Sequence, residues 1–151
     1  MKIRILIFAA VVAVLSACSR PTSNEQFVKL DNKGADGLYH FTVDMSDSLH
    51  TYDLVFYSRI DCNNIKLSQI RDFPLTVTWI SPEGEKYSEK VYFKVRGNSE
   101  DEDFYSNQYR IPYRTEVVPV RWGIWEMTVK IDSDRYIPGF RGLGLICKKN
   151  I

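Results

Sequence analysis

The chain is 151 residues long and carries 20 lysines and arginines against 19 acidic residues, a formal net charge of +1 at pH 7. This balance excludes the basic excess typical of nucleic-acid-binding domains, so no nucleic-acid partner is predicted. Hydrophobic residues make up 44% of the chain and aromatic residues 13%, with nine tyrosines and three tryptophans, and such residues favour strands. The length suits one self-sufficient domain, and the composition predicts that it is all-β.

The N-terminus has the pattern of a bacterial export signal. Lys2 and Arg4 precede an unbroken apolar run over residues 5–15, which is too short to span a bilayer comfortably. Small residues then lead directly into Cys18, an order that resembles a lipobox, in which the cysteine is lipidated before cleavage. We therefore predict a lipoprotein signal peptide over 1–17, a lipidated tether over 18–26 and a β-sandwich domain over 27–151.

Lipidation of Cys18 would attach at least two acyl chains such as palmitate. At about 0.8 kcal/mol per buried CH₂, two chains suffice for stable membrane anchoring. Removal of residues 1–17 takes away Lys2 and Arg4, which leaves 134 residues (151 minus 17) with 18 basic (20 minus 2) against 19 acidic ones. The sequence thus predicts a membrane anchor at Cys18 and a place in the cell envelope, at the outer membrane facing the periplasm. The alternatives are an ordinary secretory signal with Cys18 present by chance, or a short uncleaved anchor.

Apolar and polar residues alternate with a period of two over most of the remaining chain, which predicts strands. Each predicted strand has one apolar face that must be covered, and a second sheet covers it. We therefore predict a two-sheet antiparallel β-sandwich of seven to eight strands. One helical turn is expected within residues 65–72, ended by Pro74. The predicted strands cover residues 27–30, 39–43, 52–60, 75–79, 91–95, 109–113, 125–131 and 143–147.

Cys62 and Cys147 both fall on the inward side of this alternation. An exported protein meets an oxidising compartment, so a disulfide between them is one interpretation. The other is that each is a small buried hydrophobe. Metal binding is disfavoured because His40 and His50 are the only imidazoles, and His40 lies on the outward side. No metal and no cofactor is predicted.

Aromatic and basic residues cluster around the Val-Val-Pro corner at 117–119. Trp125 has inward parity and is predicted to lie in the core, whereas Trp122 has the opposite parity and is predicted to lie at the rim. Exposed Trp, Tyr and Arg are enriched at binding hot spots, and an aromatic platform also stacks sugars. In the alternative, Trp122 folds over the end of the sandwich as a plug. The candidate partner-binding residues are Tyr113, Arg114, Arg121 and Trp122.

No motif of the sequence points to an enzyme. A Gly-x-Ser-x-Gly elbow, a His-Glu-x-x-His pair and a phosphate loop are all missing. Residues 98–103 contain four acids in six positions, whose oxygens would suit calcium. They have no EF-hand order, so a solvated hairpin tip is the preferred interpretation.

Several short motifs follow one another in a definite order. After the lipobox-like start come a Phe-Thr-Val-Asp run at 41–44, a Tyr-Asp-Leu run at 52–54, a Pro-Glu-Gly turn at 82–84 and a Gly-Phe-Arg-Gly-Leu-Gly-Leu ending at 139–145. In this order the chain resembles the gliding-motility lipoprotein H family over most of its mature length. The resemblance implies a small non-enzymatic lipoprotein associated with the gliding apparatus and its allied secretion machinery. The chain departs from that pattern at 97–104, where an acidic segment replaces the expected Gly/Trp-rich one.

Two functions are consistent with these patterns. The first is an envelope accessory or assembly lipoprotein that binds protein partners through a sheet edge or an apolar patch. The second is a ligand-binding lipoprotein, for instance for glycan, with a concave surface lined by Trp122 and Tyr113. The first is preferred because no cleft chemistry is visible in the sequence and the family resemblance points to it.

Overall fold

Strands make up most of the computed structural model, which describes residues 22–95, 99–102 and 107–151. In these ranges, one helical turn, α1 (Asn64–Leu67), and two 3₁₀ turns (Leu30–Asn32 and Asp134–Tyr136) lie between strands. Within the described residues the strands are β1 (Ser23–Lys29), β2 (Tyr39–Met45), β3 (Thr51–Ile60), β4 (Phe73–Ile80), β5 (Lys86–Phe93), β6 (Ser99–Glu102), β7 (Asn107–Val117), β8 (Gly123–Ile131) and β9 (Phe140–Asn150).

The strands form two antiparallel sheets that pack face to face. One sheet has the order β1-β9-β3-β7-β6 and the other has the order β2-β8-β4-β5. Within the described ranges, eight strands have seven residues or more, and β6 has four. The predicted two-sheet antiparallel sandwich is therefore confirmed, and β6 is a short additional edge strand.

Alternating side chains build the core between the sheets. In β2, Tyr39, Phe41, Val43 and Met45 are buried, while the residues between them are exposed. Phe56 of β3 reaches the same core from the opposite sheet and is fully buried. Each large apolar side chain buried in this way contributes about 1.5–3 kcal/mol to the fold. The period of two thus fixes which face of each sheet is covered.

The first strand begins earlier than the sequence predicted. β1 starts at Ser23, inside the predicted tether, and the carbonyl oxygen of Thr22 accepts a hydrogen bond from the Lys149 N–H at 2.7 Å. The Gln26 amide then bridges to the other sheet, since it accepts from the Thr42 N–H at 3.0 Å and donates to the Thr42 carbonyl at 2.5 Å. The prediction of a tether extending to residue 26 is therefore wrong. These polar residues form a strand because they lie at a sheet edge, where no apolar face is required.

Two loops and the start of β1 lie at one end of the sandwich. The loop over residues 46–50 joins β2 to β3, and the loop over residues 118–122, here called the corner, joins β7 to β8. Because β2 pairs with β8 and β3 pairs with β7, both loops lie at the same end. β1 begins there too, since Ser23 pairs with Lys148, and Lys148 pairs with Asp53 near the start of β3. We call this the tether end.

The two core cysteines are free thiols, and both are buried. Cys147 pairs with Leu54, whereas Cys62 follows Ile60, the last residue of β3. At about 3.3 Å per residue, the intervening strand separates them by roughly 20 Å, far beyond the 7 Å limit for a disulfide. The disulfide interpretation is therefore wrong, and the buried-hydrophobe interpretation describes both residues. Burial, with a smaller contribution from Asp44, raises the pKa of Cys147 to about 11.

The described part of the acidic segment belongs to a strand rather than to a hairpin tip. Residues 99–102 form β6 and pair with β7, so they belong to an edge strand, while the rest of 97–104 lies outside the described residues. Among the residues that the structure describes, no three His, Cys, Asp or Glu side chains gather as a metal site. No helix in the same ranges is long and apolar enough to cross a membrane.

Candidate binding groove at the tether end

A groove of about 280 Å³ lies at the tether end, here called the end groove. Met45 and Leu54 line it from the two sheets, and residues 117–120 add an apolar stretch from the corner. Binding sites are typically concave and apolar with a few fixed polar groups, and the end groove has this composition. Its remaining lining consists of three aromatic and two charged side chains: Trp79, Tyr87, Trp125, Glu89 and Arg114.

The three aromatic rings are brought together by strand pairing. Trp79 pairs with Tyr87 across the β4–β5 hairpin. The Trp79 and Trp125 rings meet edge to face with their centroids 6.0 Å apart, and the Tyr87 and Trp125 centroids are 6.1 Å apart. Trp125 is buried, whereas Tyr87 is exposed. Tyr87 is therefore the aromatic ring of the groove that is most open to a ligand.

A chain of hydrogen bonds fixes the charged pair of the groove. Trp79 Nε1 donates to Tyr113 Oη at 2.8 Å, and Tyr113 Oη donates to Glu89 Oε1. Arg114 Nη2 donates to Glu89 Oε2 at 2.6 Å. Burial alone would raise the pKa of Glu89, but the hydrogen bonds from Tyr113 and Arg114 outweigh it, so this pKa is lowered. Burial, followed by the Glu89 hydrogen bond, raises the pKa of Tyr113 well above its usual value. At neutral pH the groove thus holds one carboxylate beside one guanidinium.

The corner is held in place from two sides. Trp125 Nε1 donates to the carbonyl oxygen of Arg121 at 2.8 Å, which ties the corner to β8. Arg121 Nε donates to Glu83 Oε2 at 2.9 Å, which ties it to the turn between β4 and β5. Val118 and Val120 remain exposed on this fixed loop. The apolar wall of the groove is therefore built by the fold and does not depend on a ligand.

The four residues predicted as a partner site lie in two places. Tyr113 and Arg114 meet at Glu89, and Tyr113 is half-buried behind the groove rather than exposed as a platform. Arg121 and Trp122 lie on the corner, where Trp122 is exposed and does not line the groove. Trp122 is 41% exposed at the rim, as predicted, and the alternative that it folds over the end of the sandwich stays a prediction.

Sequence reasoning missed three of the five aromatic and charged residues that line the groove: Trp79, Tyr87 and Glu89. A three-residue Pro-Glu-Gly loop at 82–84 pairs Ser81 with Glu85 and hence Trp79 with Tyr87, so the sequence did contain the information for these two residues. The role of Glu89 could not be predicted from the hairpin, because the residues that it bonds belong to β7 in the other sheet. Trp125 was predicted to be a core residue, and it is both buried and part of the groove.

Replacing Glu89 with glutamine is expected to destabilise the domain at neutral pH and to have little effect in acid. The folded-state pKa of Glu89 lies below its usual 4.5, so the carboxylate stabilises the fold above pH 4.5. This contribution is lost as the pH falls through the lowered pKa. We expect a loss of about 1–2 kcal/mol in the free energy of unfolding at pH 7, from the hydrogen bonds to a charged group. Urea unfolding at pH 7 and pH 3 measures it.

The matched control for this prediction is Glu83→Gln. Glu83 is also an acid paired with an arginine, but its side chain is 61% exposed. Exposed ion pairs contribute little, so this variant is expected to change stability by less than about 1 kcal/mol at either pH. A loss for Glu89→Gln that is equal at the two pH values would contradict the role assigned to its carboxylate.

Comparison with known protein families and with curated proteins finds no match. Among solved structures, the chain is similar to a protein from Sulfurospirillum deleyianum, with 10% identity over 86% of this chain and 98% of that one, at a TM-score of 0.40. Dimeric latent PorU from Porphyromonas gingivalis is 5% identical over 85% of this chain and 13% of that one, at a TM-score of 0.35. The globular domain of the zebrafish complement 1qA protein is 11% identical over 74% of this chain and 67% of that one, at a TM-score of 0.30. At such scores these similarities carry no argument about function.

Proposed function

We propose that this protein is a non-enzymatic lipoprotein, anchored through Cys18 to the outer membrane and facing the periplasm. It acts there as an accessory or assembly component of an envelope machine of the gliding or secretion type. The lipobox-like start supports the anchor, and the order of motifs that resembles the gliding-motility lipoprotein H family supports the machine. The observation that carries a binding role is the end groove, an apolar cleft with three aromatic rings and one fixed ion pair.

A protein segment fits the surroundings of the end groove better than a small ligand does. Among the strands that the structure describes, β5 pairs with β4 alone and is therefore an edge of the four-stranded sheet. Its residues Tyr87 and Glu89 line the groove. An incoming strand makes main-chain hydrogen bonds along such an edge, while its side chains fill neighbouring pockets. A partner strand on β5 would therefore place one apolar side chain in the groove. A small ligand would contact the groove but would leave the backbone groups along the β5 edge unpaired.

The test is crosslinking in intact envelopes, followed by capture of the tagged protein. Tyr87 lines the groove, whereas Tyr92 is an exposed tyrosine of the same strand with its side chain on the opposite face. Truncation of an aromatic anchor at a hot spot costs about 2 kcal/mol or more. We therefore expect Tyr87→Ala to lower recovery of the crosslinked partner about 30-fold, and Tyr92→Ala to leave recovery unchanged.

The anchor is tested in the same experiment with Cys18→Ala. Recovery of integral envelope or secretion-machine components with the wild type, but not with Cys18→Ala, supports the anchored accessory role. Equal recovery with Tyr87→Ala and wild type would show that the partner binds elsewhere on the domain. Recovery that does not depend on Cys18 would remove the lipid anchor from the proposal.

A glycan-binding role is the second candidate. It is favoured by the ring of Tyr87 beside the Glu89–Arg114 pair, because an accessible aromatic face and fixed polar groups together orient a polar ligand. A glycan array with purified wild type and Tyr87→Ala tests it. Retention of a glycan by the wild type alone, with no protein captured from envelopes, would replace the assembly role with a ligand-binding one.

A further inference from the structure

Exposed apolar side chains project from both loops of the tether end. Leu49, on the loop over residues 46–50, is 87% exposed. On the corner, Val118, Val120 and Trp122 are 63%, 66% and 41% exposed. Single exposed apolar residues are common, but a group of large ones on neighbouring loops marks an interaction surface. We call these four residues the loop tips.

The loop that carries Leu49 is held by specific hydrogen bonds. The Asp47 N–H donates to Tyr52 Oη at 3.0 Å, which fixes the backbone of the loop. The Asp47 carboxylate accepts from the Leu49 N–H at 3.0 Å and from Lys149 Nζ at 3.1 Å. The corner is likewise held by Trp125, whose Nε1 donates to the Arg121 carbonyl oxygen. The exposure of the loop tips is therefore part of the folded structure.

The position of the proposed lipid site relative to this end is limited by chain length. Three residues separate Cys18 from Thr22, so their Cα atoms are at most about 14 Å apart, whatever path the chain takes. Thr22 is itself fixed to Lys149 at the tether end. The opposite end lies about 30 Å farther away, the length of the ten-residue strand β3. A lipid on Cys18 therefore holds the loop tips close to the bilayer.

We propose that the loop tips contact the lipid surface itself and enter the interfacial region of the bilayer. This inference rests on the lipidation of Cys18 in the proposed function. Tryptophan is favoured at membrane interfaces because its ring is apolar and its N–H remains hydrated, and aliphatic side chains add buried apolar area. The loop tips thus serve as a second membrane contact beside the acyl chains, and they fix the orientation of the sandwich.

The four loop tips carry no charge, so the contact that they make with the membrane is apolar. Two cations of the tether end are also paired within the protein: Arg121 with Glu83 at 2.9 Å and Lys149 with Asp47 at 3.1 Å. Attraction to anionic lipid depends on unpaired lysines and arginines near the surface. We therefore expect the contact to form on zwitterionic lipid. Contact of the loop tips with the membrane also places the end groove beside the bilayer. We therefore expect the partner that binds the groove to be a membrane-associated protein.

The test uses the full-length protein purified from membranes, with its lipidated N-terminus verified by mass spectrometry. The protein is reconstituted in phosphatidylcholine vesicles with plain or brominated acyl chains, since bromine quenches tryptophan emission on contact. In a Trp122→Phe background, Leu49→Trp reports on the tether end and Tyr136→Trp reports on the opposite end. These positions are matched, at 87% and 86% exposure. We expect brominated lipid to remove most of the emission added by Leu49→Trp and none of that added by Tyr136→Trp.

The outcomes separate this inference from the anchor. Equal emission from Leu49→Trp in plain and brominated vesicles, on protein with a verified lipid, overturns the contact and leaves the anchor standing. Shielding of Leu49→Trp from both brominated lipid and dissolved acrylamide also overturns it, because the loop tips are then covered by protein. An N-terminus that carries no lipid ends both proposals. The substitutions Val118→Asp and Val120→Asp can be added to the Leu49→Trp protein. If brominated lipid then no longer quenches the emission from position 49, the result supports joint insertion of the two loops.

Discussion

Replacing Asp134 with alanine is expected to lower the free energy of unfolding by about 3–5 kcal/mol. Asp134 is a buried acid on the turn before β9, and its Oδ2 accepts hydrogen bonds from Lys33 Nζ and Tyr39 Oη, each at 2.7 Å. Without the carboxylate, the Lys33 ammonium, whose side chain is only 13% exposed, loses its opposite charge, and the Tyr39 hydroxyl loses its partner. An uncompensated buried charge is far more costly than a lost surface ion pair.

A double variant distinguishes the buried charge from simple loss of packing. Lys33→Met together with Asp134→Leu removes both charges and keeps apolar volume, so it is expected to be more stable than Asp134→Ala alone. Urea unfolding followed by tryptophan fluorescence measures all three proteins. A loss of less than about 1 kcal/mol for Asp134→Ala would mean that water replaces the carboxylate, and the interaction would then resemble an exposed pair.

The sandwich was predictable where one face of a strand is apolar and the other polar. β2 and β8 alternate in this way, because their inner side chains meet the other sheet while their outer side chains meet water. Residues 23–26 of β1 do not alternate between apolar and polar side chains, since an edge strand needs only backbone pairing. The period of two places Tyr57 on the face of β3 opposite Phe56, yet Tyr57 is buried as well. Phe27 stacks on its ring and Gly144 leaves room beneath it, and both neighbours come from strands far away in the sequence.

The end groove was predictable only in part, because it depends on pairing between distant segments. The corner and its exposed Trp122 follow from the Val-Val-Pro sequence and from parity. The position of Tyr113 depends on irregular pairing in β7, where Leu54 pairs with Arg114 and Tyr52 with Val117. That bulge alters the side-chain alternation, and no local pattern reveals it. Sequence reasoning therefore located the right end of the domain but not the rings that line the groove.

Replacing Trp125 with alanine is expected to lower the free energy of unfolding by about 3–5 kcal/mol. The Trp125 ring is buried between the sheets and contacts the rings of Trp79 and Tyr87. Truncation leaves a cavity at the tether end, where the neighbouring strands are fixed by their ladders and collapse only in part. Urea unfolding measures the loss of stability. The transition is monitored by circular dichroism rather than by fluorescence, because the variant lacks one of the three tryptophans.

The variant Trp125→Phe separates the packing of this ring from its hydrogen bond. Phenylalanine keeps most of the ring but cannot donate to the Arg121 carbonyl, so a stability loss of only about 1 kcal/mol is expected. The corner then keeps its contact from Arg121 to Glu83, but that contact is exposed to solvent, so the corner is held less firmly against the groove. Recovery of the crosslinked partner should therefore fall even though the domain remains folded. Trp122→Phe is the matched control, because Trp122 is exposed and does not line the groove. Full recovery of the partner with Trp125→Phe would show that binding does not need a fixed corner, because the groove and the β5 edge would then suffice.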